Sequence, residues 1–374
     1  KKTKNILRRI MKLTLLGTGC PSVDHKRFGP SNLITTKQAK ILVDCGSGIT
    51  QRHWVGEESN ASILAIQAAK NAMLDAKIDP NDIDLVICAT LTSDYFFPGI
   101  SNQIQHSLGM RNVGAFDIKA ACSAFIYSLS IGEQFIRTEQ YKTILVVGAE
   151  VQSTALDLSD EGRNISVLFA DGAGAAVLQA TENNKGILST HLHSDGKFLK
   201  DLWCEAPGTS NNPRLSKDIL DKGKHLPYMN GREVFKNAVR RFLEVIKEAM
   251  DSNELTIDDI SQIIPHQANH RISEAVAKRM GVGMDKVFSN IKYYGNTTAA
   301  SIPIAMCEAR DKGLFSDGDI IIENGSLTDF LDLALMNIGR KELNFFSQII
   351  NKFAGSFRYL TNFNFIKKSK MNVA

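Results

Sequence analysis

The sequence predicts an α/β fold made of two similar halves, and two observations carry that expectation. First, apolar runs without polar alternation, such as TILVVGAE at 143–150, alternate with helical segments, as in a sheet covered on both faces. Second, NELTIDDISQIIPHQ repeats the helix–turn–strand order of DAKIDPNDIDLVICAT, with Asp82-Ile83 matching Asp259-Ile260 at an offset of 177 residues. A match at that distance points to an internal duplication.

The elements follow in order. Residues 60–77 place apolar side chains at helical spacing behind Asn60 or Ser59 as cap. A turn at IDPND leads into a buried strand at 84–89. A second helix at 99–109 precedes a short strand at 114–118. Residues 122–137 are helical and small or apolar on both faces. Strands follow at 143–150 and 169–180, the second rich in glycine for close packing. A long helix at 232–250 then opens the second half.

With 374 residues, 43% hydrophobic and 22% charged, the chain has an ordinary globular composition. No run approaches the ~18 apolar residues of a membrane span. Lys1, Lys2, Lys4, Arg8, Arg9 and Lys12 make one end basic, and seven basic residues against Glu342 make 340–374 basic. Six positive charges at each end against a total of +4 leave residues 13–339 at −8. The ends read as solvated tails, and no nucleic-acid partner is expected. Six scattered cysteines without zinc spacing suit reduced thiols in the cytoplasm. Leu13–Leu16 is far shorter than the ~7–15 apolar residues of a signal peptide.

Three residues can carry chemistry. Cys122, in AACSAF, falls where a loop turns into a helix, and a helix N-terminus favours thiolate and can hold an oxyanion. AACSAF alone fits a small buried structural cysteine as well. His266 follows the strand QIIP, at the strand end where α/β sheets collect ligands. Asn296 lies in the turn GNTTAAS. An imidazole and an amide can both donate to one enolate oxygen. THLHSDG at 190–196 opens like an HxHxD metal motif, but Gly196 stands where a third histidine would complete it, and no metal is expected.

Residues 52–320 resemble β-ketoacyl-acyl carrier protein synthase III of the thiolase superfamily. The resemblance runs colinearly through RHW (52–54), DLVICAT, DIKAACSAF, ILVVGAEVQS, LFADGAGAAVL, ILSTHLHSDG, NGREVFKNAV, IIPHQANHRI and YYGNTTAASIP. It implies a thiolase-like fold of duplicated α-β-α-β-α layers. It also implies a reaction. Cys122 takes an acyl group from acyl-CoA, and His266 and Asn296 stabilise the enolate formed when malonyl-acyl carrier protein loses CO2. The product is a 3-oxoacyl carrier protein, initiating fatty acid biosynthesis, with acyl-CoA as substrate and no resident cofactor. Phe97 matches a residue that closes the partner subunit's acyl pocket, implying a homodimer. Arg163 matches an arginine that stacks on the CoA adenine. Lys236 and Arg271 match carrier-docking positions, and Arg240, Lys278 and Arg279 extend that basic face.

Both ends depart from the family. LTLLGTGCPS, SNLI and ILVDCGSG resemble the opening strands of a metallo-β-lactamase fold, while MKLTLLGTG suits the first core strand of either fold. Gly46, Ser47 and Gly48 stand in place of arginine-threonine-glycine, which removes a CoA contact. After GDIII no glycine run follows Gly325, so a second oxyanion donor is expected to be missing. One such donor is typically worth ~100- to 1,000-fold in rate. Ala124 replaces a glycine, which narrows the acyl pocket. Phe346, Ile350, Phe353 and Phe357 have helical spacing, and the tail is expected to be an extension rather than a membrane contact. The expected organisation is an atypical segment at 1–51, a nucleophile half at 52–181, a His/Asn half at 182–339 and a basic Phe-rich tail at 340–374. Two other readings stay open: an acyltransferase of this fold without decarboxylation, and a catalytically impaired remnant.

Overall fold

The structure is a computed structural model that describes residues 48–180, 186–316 and 319–325, with the backbone of strands at 12–16, 31–35, 39–43, 330–337, 347–349 and 372–373. In chain order the strands are β1 (Lys12–Leu16), β2 (Ser31–Thr35), β3 (Ala39–Val43), β4 (Gln51–Val55), β5 (Leu85–Ala89), β6 (Gly114–Ile118), β7 (Thr143–Glu150), β8 (Gly172–Gln179) and β9 (Gly186–Ser194). They continue as β10 (Leu202–Trp203), β11 (Tyr228–Met229), β12 (Ile260–Pro265), β13 (Ile320–Asn324), β14 (Phe330–Asn337), β15 (Ser347–Ile349) and β16 (Asn372–Val373). The main helices are α1 (Ala61–Ala76), α2 (Ile100–Ser107), α3 (Ala124–Arg137), α4 (Gly231–Ser252), α5 (His270–Met280) and α6 (Ser301–Asp311).

Two five-stranded sheets, ordered β15-β8-β7-β5-β6 and β12-β13-β14-β9-β16, form the frame. Helices α3 and α6 touch strands of both sheets and make the middle layer. Helices α1 and α2 cover the outer face of the first sheet, and α4 covers that of the second with α5 packed on it. This is the five-layer arrangement expected from the sequence.

The duplication is visible in strand pairing. In the first half β5 runs parallel to β7, and β7 pairs antiparallel with β8. In the second half β12 runs parallel to β13, and β13 pairs antiparallel with β14. A parallel bridge from Ile263 to Val287 stands where β6 stands in the first half. Both β5 and β12 are entered through a 3-10 turn, Pro80–Asp82 after cap Asp79 and Ile257–Asp259 after cap Thr256. A short capped turn before an apolar strand fixes where each strand begins, so this echo is legible in sequence.

Small residues set the layer spacing. Helix α1 buries Ala61, Ala65, Ala68, Ala69, Ala72 and Ala76, which brings its axis close to β8. In β7 a Cβ on Gly148 would lie 2.6 Å from Ala299 O, so that strand accepts the neighbouring turn only with glycine there.

The ends bring two differences. Strand β1 pairs with β2 in a four-stranded antiparallel sheet, β1-β2-β3-β4, rather than entering a central sheet. Of the tail expected to be an extension, 347–349 and 372–373 are described, and 347–349 form β15, paired antiparallel with Ala173–Ala175 of β8. The backbone row at the edge of β8 offers 347–349 these hydrogen bonds. Gly46, Ser47, Phe346, Ile350, Phe353 and Phe357 lie outside the described residues. Among the described residues no helix is long and apolar enough to cross a membrane.

Candidate active site

Cys122 sits in the 3-10 turn Ala121–Ser123, between β6 and α3, and is 2% exposed. Ala121, immediately before it, holds φ at +47°, a left-handed conformation that a non-glycine residue adopts only under surrounding restraint. Ser123 occupies the N-cap position of α3 but makes no capping bond to the helix. Its hydroxyl donates to Gly325 O at 2.7 Å instead. Cys122 thus stands two residues before the first residue of α3, at the helix end that carries partial positive charge.

Gly325 is part of this turn's wall. A Cβ there would meet Ser123 Cα and Ile126 Cγ1, each at 3.1 Å. The glycine nearest the expected oxyanion position thus lies one residue from the nucleophile. Ala124, the first residue of α3, is buried beside it.

His266 follows the end of β12, 1% exposed. Its backbone N–H donates to Asn324 O at 2.5 Å, and its Nδ1 lies 2.5 Å from Ser301 Oγ at the start of α6. Nε2 is buried and has no hydrogen-bond partner among the described residues. Burial pushes the imidazole pKa down to about 3, so the ring is neutral at ordinary pH. Leaving a buried polar atom unpaired costs about 1–3 kcal/mol, and such an orphan marks a place where a substrate atom can bind.

Asn296 is held by its backbone on both sides, with its N–H donating to Leu168 O and its C=O accepting from Ala170 N–H, each at 2.8 Å. Its Oδ1 accepts the Thr298 N–H at 2.9 Å. That bond fixes the amide with the oxygen turned inward, which leaves the NH2 end to serve as donor. Gly295 precedes it at φ +71°, where a Cβ would meet Arg52 Cγ at 3.0 Å and Leu168 O at 3.1 Å.

The three segments converge. The Ala121–Ser123 turn packs on the turn Thr298–Ala300. Ser301, next in chain, holds His266, while Thr298 holds Asn296. Asn324 and Gly325 join the His266 backbone to Ser123. A thiol at a helix N-terminus, a neutral imidazole and an oriented amide on these converging segments can hold an acyl group and stabilise an enolate facing it. A neutral imidazole that resists protonation is a poor base for the thiol, so the helix terminus is the group that favours thiolate here.

The other predicted residues are spread over the surface. Arg163 begins the short helix Arg163–Ser166, half-exposed, with Asp160 at 3.7 Å. Phe97 is 80% exposed beside Phe96, their rings edge to face at 6.2 Å, in a loop with a cis Phe97–Pro98 bond. Lys236 and Arg240 are exposed on α4, and Arg271, Lys278 and Arg279 on the adjacent α5. Lys236 faces Glu233 at 3.7 Å and Arg240 faces Glu244 at 3.8 Å, so the face is mixed in charge at its α4 side. In the THLHSDG segment, His191 and His193 each bond one oxygen of Glu248, at 3.2 and 2.7 Å. That pairing gives both histidines a structural partner.

Sequence reasoning missed Ser301, Thr298, Ser123 and Gln267. Gln267 accepts N–H groups of Asn290 and Ile291 and donates to Pro265 O, stiffening the chain after His266. Ser301 closes the GNTTAAS motif, but nothing in a linear reading pairs it with a histidine 35 residues earlier.

Comparison with known proteins adds a family signal. Residues 116–196 match the family described as 3-Oxoacyl-[acyl-carrier-protein (ACP)] synthase III, and residues 250–326 match its C-terminal domain. The chain is 41% identical over 315 residues to beta-ketoacyl-[acyl-carrier-protein] synthase III of Caldanaerobacter subterraneus subsp. tengcongensis, covering 82% of this chain and 92% of that one. It is 43% identical over 282 residues to the Rhodospirillum rubrum protein of the same name, covering 74% and 83%. The crystal structure of 3-oxoacyl-[acyl-carrier-protein] synthase III from Aquifex aeolicus VF5 is similar at a TM-score of 0.69 with 39% identity, covering 78% of this chain and 88% of that one.

Proposed function

The chain belongs to the β-ketoacyl-acyl carrier protein synthase III family, and we propose that it carries out a decarboxylative condensation that initiates fatty acid synthesis. Cys122 attacks the thioester carbonyl of an acyl-CoA, acetyl-CoA being the expected donor, and CoA leaves as the thiol. Malonyl-acyl carrier protein then binds with its thioester oxygen between His266 Nε2 and the Asn296 amide. The C–C bond to the carboxylate breaks, CO2 departs, and the electron pair becomes an enolate held by those two donors. The enolate carbon attacks the acyl-Cys122 carbonyl. The resulting oxyanion collapses, the Cys122 thiolate leaves, and 3-oxoacyl carrier protein is released.

The single observation that supports this most is the buried, neutral His266 ring with Nε2 unpartnered among the described residues, together with the Asn296 amide whose oxygen is already occupied. Simple acyl transfer to oxygen or nitrogen needs no such pair of donors. The same reading assigns the CoA adenine to Arg163 and the acidic carrier protein to Lys236, Arg240, Arg271, Lys278 and Arg279. It makes the enzyme a cytoplasmic homodimer in which Phe97 reaches the partner's acyl pocket.

The test is CO2 release from malonyl-acyl carrier protein in the presence of acetyl-CoA. Condensation is expected to vanish in Cys122→Ala and persist in Cys88→Ala. Asn296→Ala is expected to keep Cys122 acylation and lose CO2 release. Full condensing activity in Cys122→Ala would overturn the assignment, and acylation without CO2 in the unaltered protein would make it a simple acyltransferase.

A further inference from the structure

Glu150 ends β7 with no exposure to solvent. Its Oε1 accepts the Leu91 N–H at 3.1 Å, and its Oε2 accepts the Thr92 hydroxyl at 2.7 Å and Gln152 Nε2 at 3.3 Å. It also accepts a backbone N–H from Ala299. These donors come from three places: the base of the aromatic loop, the strand exit, and the Thr298–Ala300 turn.

That last turn depends on outside support. Thr298 holds φ at +50°, a left-handed state for a β-branched residue. Its hydroxyl accepts from Gln152 Nε2 at 2.9 Å, so Gln152 and Glu150 grip the turn together. The Thr298 N–H fixes Asn296 Oδ1, and its C=O lies 2.9 Å from the Ser301 hydroxyl that meets His266 Nδ1. One buried carboxyl thus governs the turn that orients both enolate donors. The nucleophile turn has separate supports, the Ser123 N–H to Ala120 O bond and the Ser123 hydroxyl to Gly325 O bond.

We infer that Glu150 is a positioning residue for the decarboxylation half-reaction, locking the Thr298–Ala300 turn so that Asn296 and His266 present their donors to one oxygen. Its second arm, through Leu91 and Thr92, ties the loop that carries Phe96 and Phe97 to the same anchor. An apolar residue at 150 would leave the Leu91 and Ala299 N–H groups without their acceptor and free the strained turn to relax. The inference rests on the reading of Asn296 and His266 as enolate donors.

The experiment uses the full chain and measures two half-reactions separately, Cys122 acylation by acetyl-CoA and CO2 release from malonyl-acyl carrier protein, with melting temperature alongside. Glu150→Ala is expected to lower kcat for CO2 release about 100-fold, the scale of a small misplacement of reacting groups. Acylation and the KM for the malonyl carrier are expected to stay within about threefold, since the nucleophile turn keeps its own bonds. Glu150→Gln is expected to recover most of the loss, because its amide can still accept from Leu91 and meet Thr92. If Glu150→Ala does not fold, Gln152→Ala cuts the link from Glu150 through Gln152 to Thr298 while sparing the Leu91, Thr92 and Ala299 bonds, and is expected to lower CO2 release about tenfold. Equal losses in both half-reactions without rescue by Gln, or wild-type CO2 release in both the Glu150→Ala and Gln152→Ala variants, would overturn the inference alone. Undiminished CO2 release in Asn296→Ala would overturn the donor reading and this inference with it.

Discussion

His266 Nδ1 and Ser301 Oγ stand 2.5 Å apart, and the same hydroxyl lies 2.9 Å from Thr298 O. Ser301 has one proton to give. Given to Thr298 O, it makes His266 Nδ1 the donor and leaves Nε2 bare. Given to Nδ1, it puts the ring proton on Nε2, where an enolate oxygen needs it. The donor-competent tautomer is therefore the one in which Ser301 donates to the ring. Ser301→Ala removes that control. CO2 release is expected to fall about ten- to a hundred-fold, with Cys122 acylation unchanged, as read by separate half-reaction rates.

Much of this was legible in the sequence, for physical reasons. β7 is an unbroken apolar run, and a strand buried on both faces can be little else. The capped turns before β5 and β12 repeat because each stops one helix unit and aims the next strand. The His266–Ser301 and Glu150–Ala299 contacts were not legible, because each joins residues brought together only by the stacking of two sheets on α3 and α6. β15 was not legible, because the spacing of Phe346 to Phe357 says nothing of the edge of β8 that pairs with 347–349. Even the Cys122 turn yielded its place but not its strain, since Ala121 gives no sequence sign of a positive φ.

Glu323, on β13, is fully buried, and neither carboxylate oxygen has a hydrogen-bond partner among the described residues. Burial pushes its pKa up to about 8 from 4.5. Between those values the folded state binds the proton that the unfolded state has released, so stability falls as pH rises from 4.5 and levels off above about 8. Glu323→Gln removes the penalty. It is expected to be more stable than the unaltered protein by a few kcal/mol at pH 9, on the order of the shift itself, and nearly equal to it at pH 4.5. Melting curves across that range check this, and a Tm difference that does not grow with pH would refute it.

The basic face on α4 and α5 predicts a kinetic signature. Lys236 is paired only loosely with Glu233 at 3.7 Å, and both Lys236 and Arg271 are exposed. Exposed charges act through long-range attraction that salt screens over ~10 Å at 0.1 M. Reversing both, Lys236→Glu with Arg271→Glu, is expected to raise KM for malonyl-acyl carrier protein about tenfold or more at low salt. The difference is expected to shrink at high salt, while acylation by acetyl-CoA stays unchanged because it involves no carrier. Steady-state kinetics at two ionic strengths read both effects.

Gly148 predicts what happens when the frame intrudes on the site. A Cβ there would lie 2.6 Å from Ala299 O, 3.1 Å from Ala299 C and 3.2 Å from Ala300 Cα, all backbone atoms that cannot swing away as a side chain can. Strand β7 is paired on both sides, with β5 and β8, so it cannot retreat either. The turn must move, and Thr298 with it, carrying the Asn296 amide and the Ser301 hydroxyl out of register. Gly148→Ala, a single added methyl group, is therefore expected to lower CO2 release about 100-fold or more. Cys122 is expected to remain reactive toward acetyl-CoA or iodoacetamide, because the nucleophile turn keeps its own Ser123–Gly325 bond. Retention of full condensing activity in Gly148→Ala would mean that the 298–300 turn tolerates displacement and does not set the donor geometry.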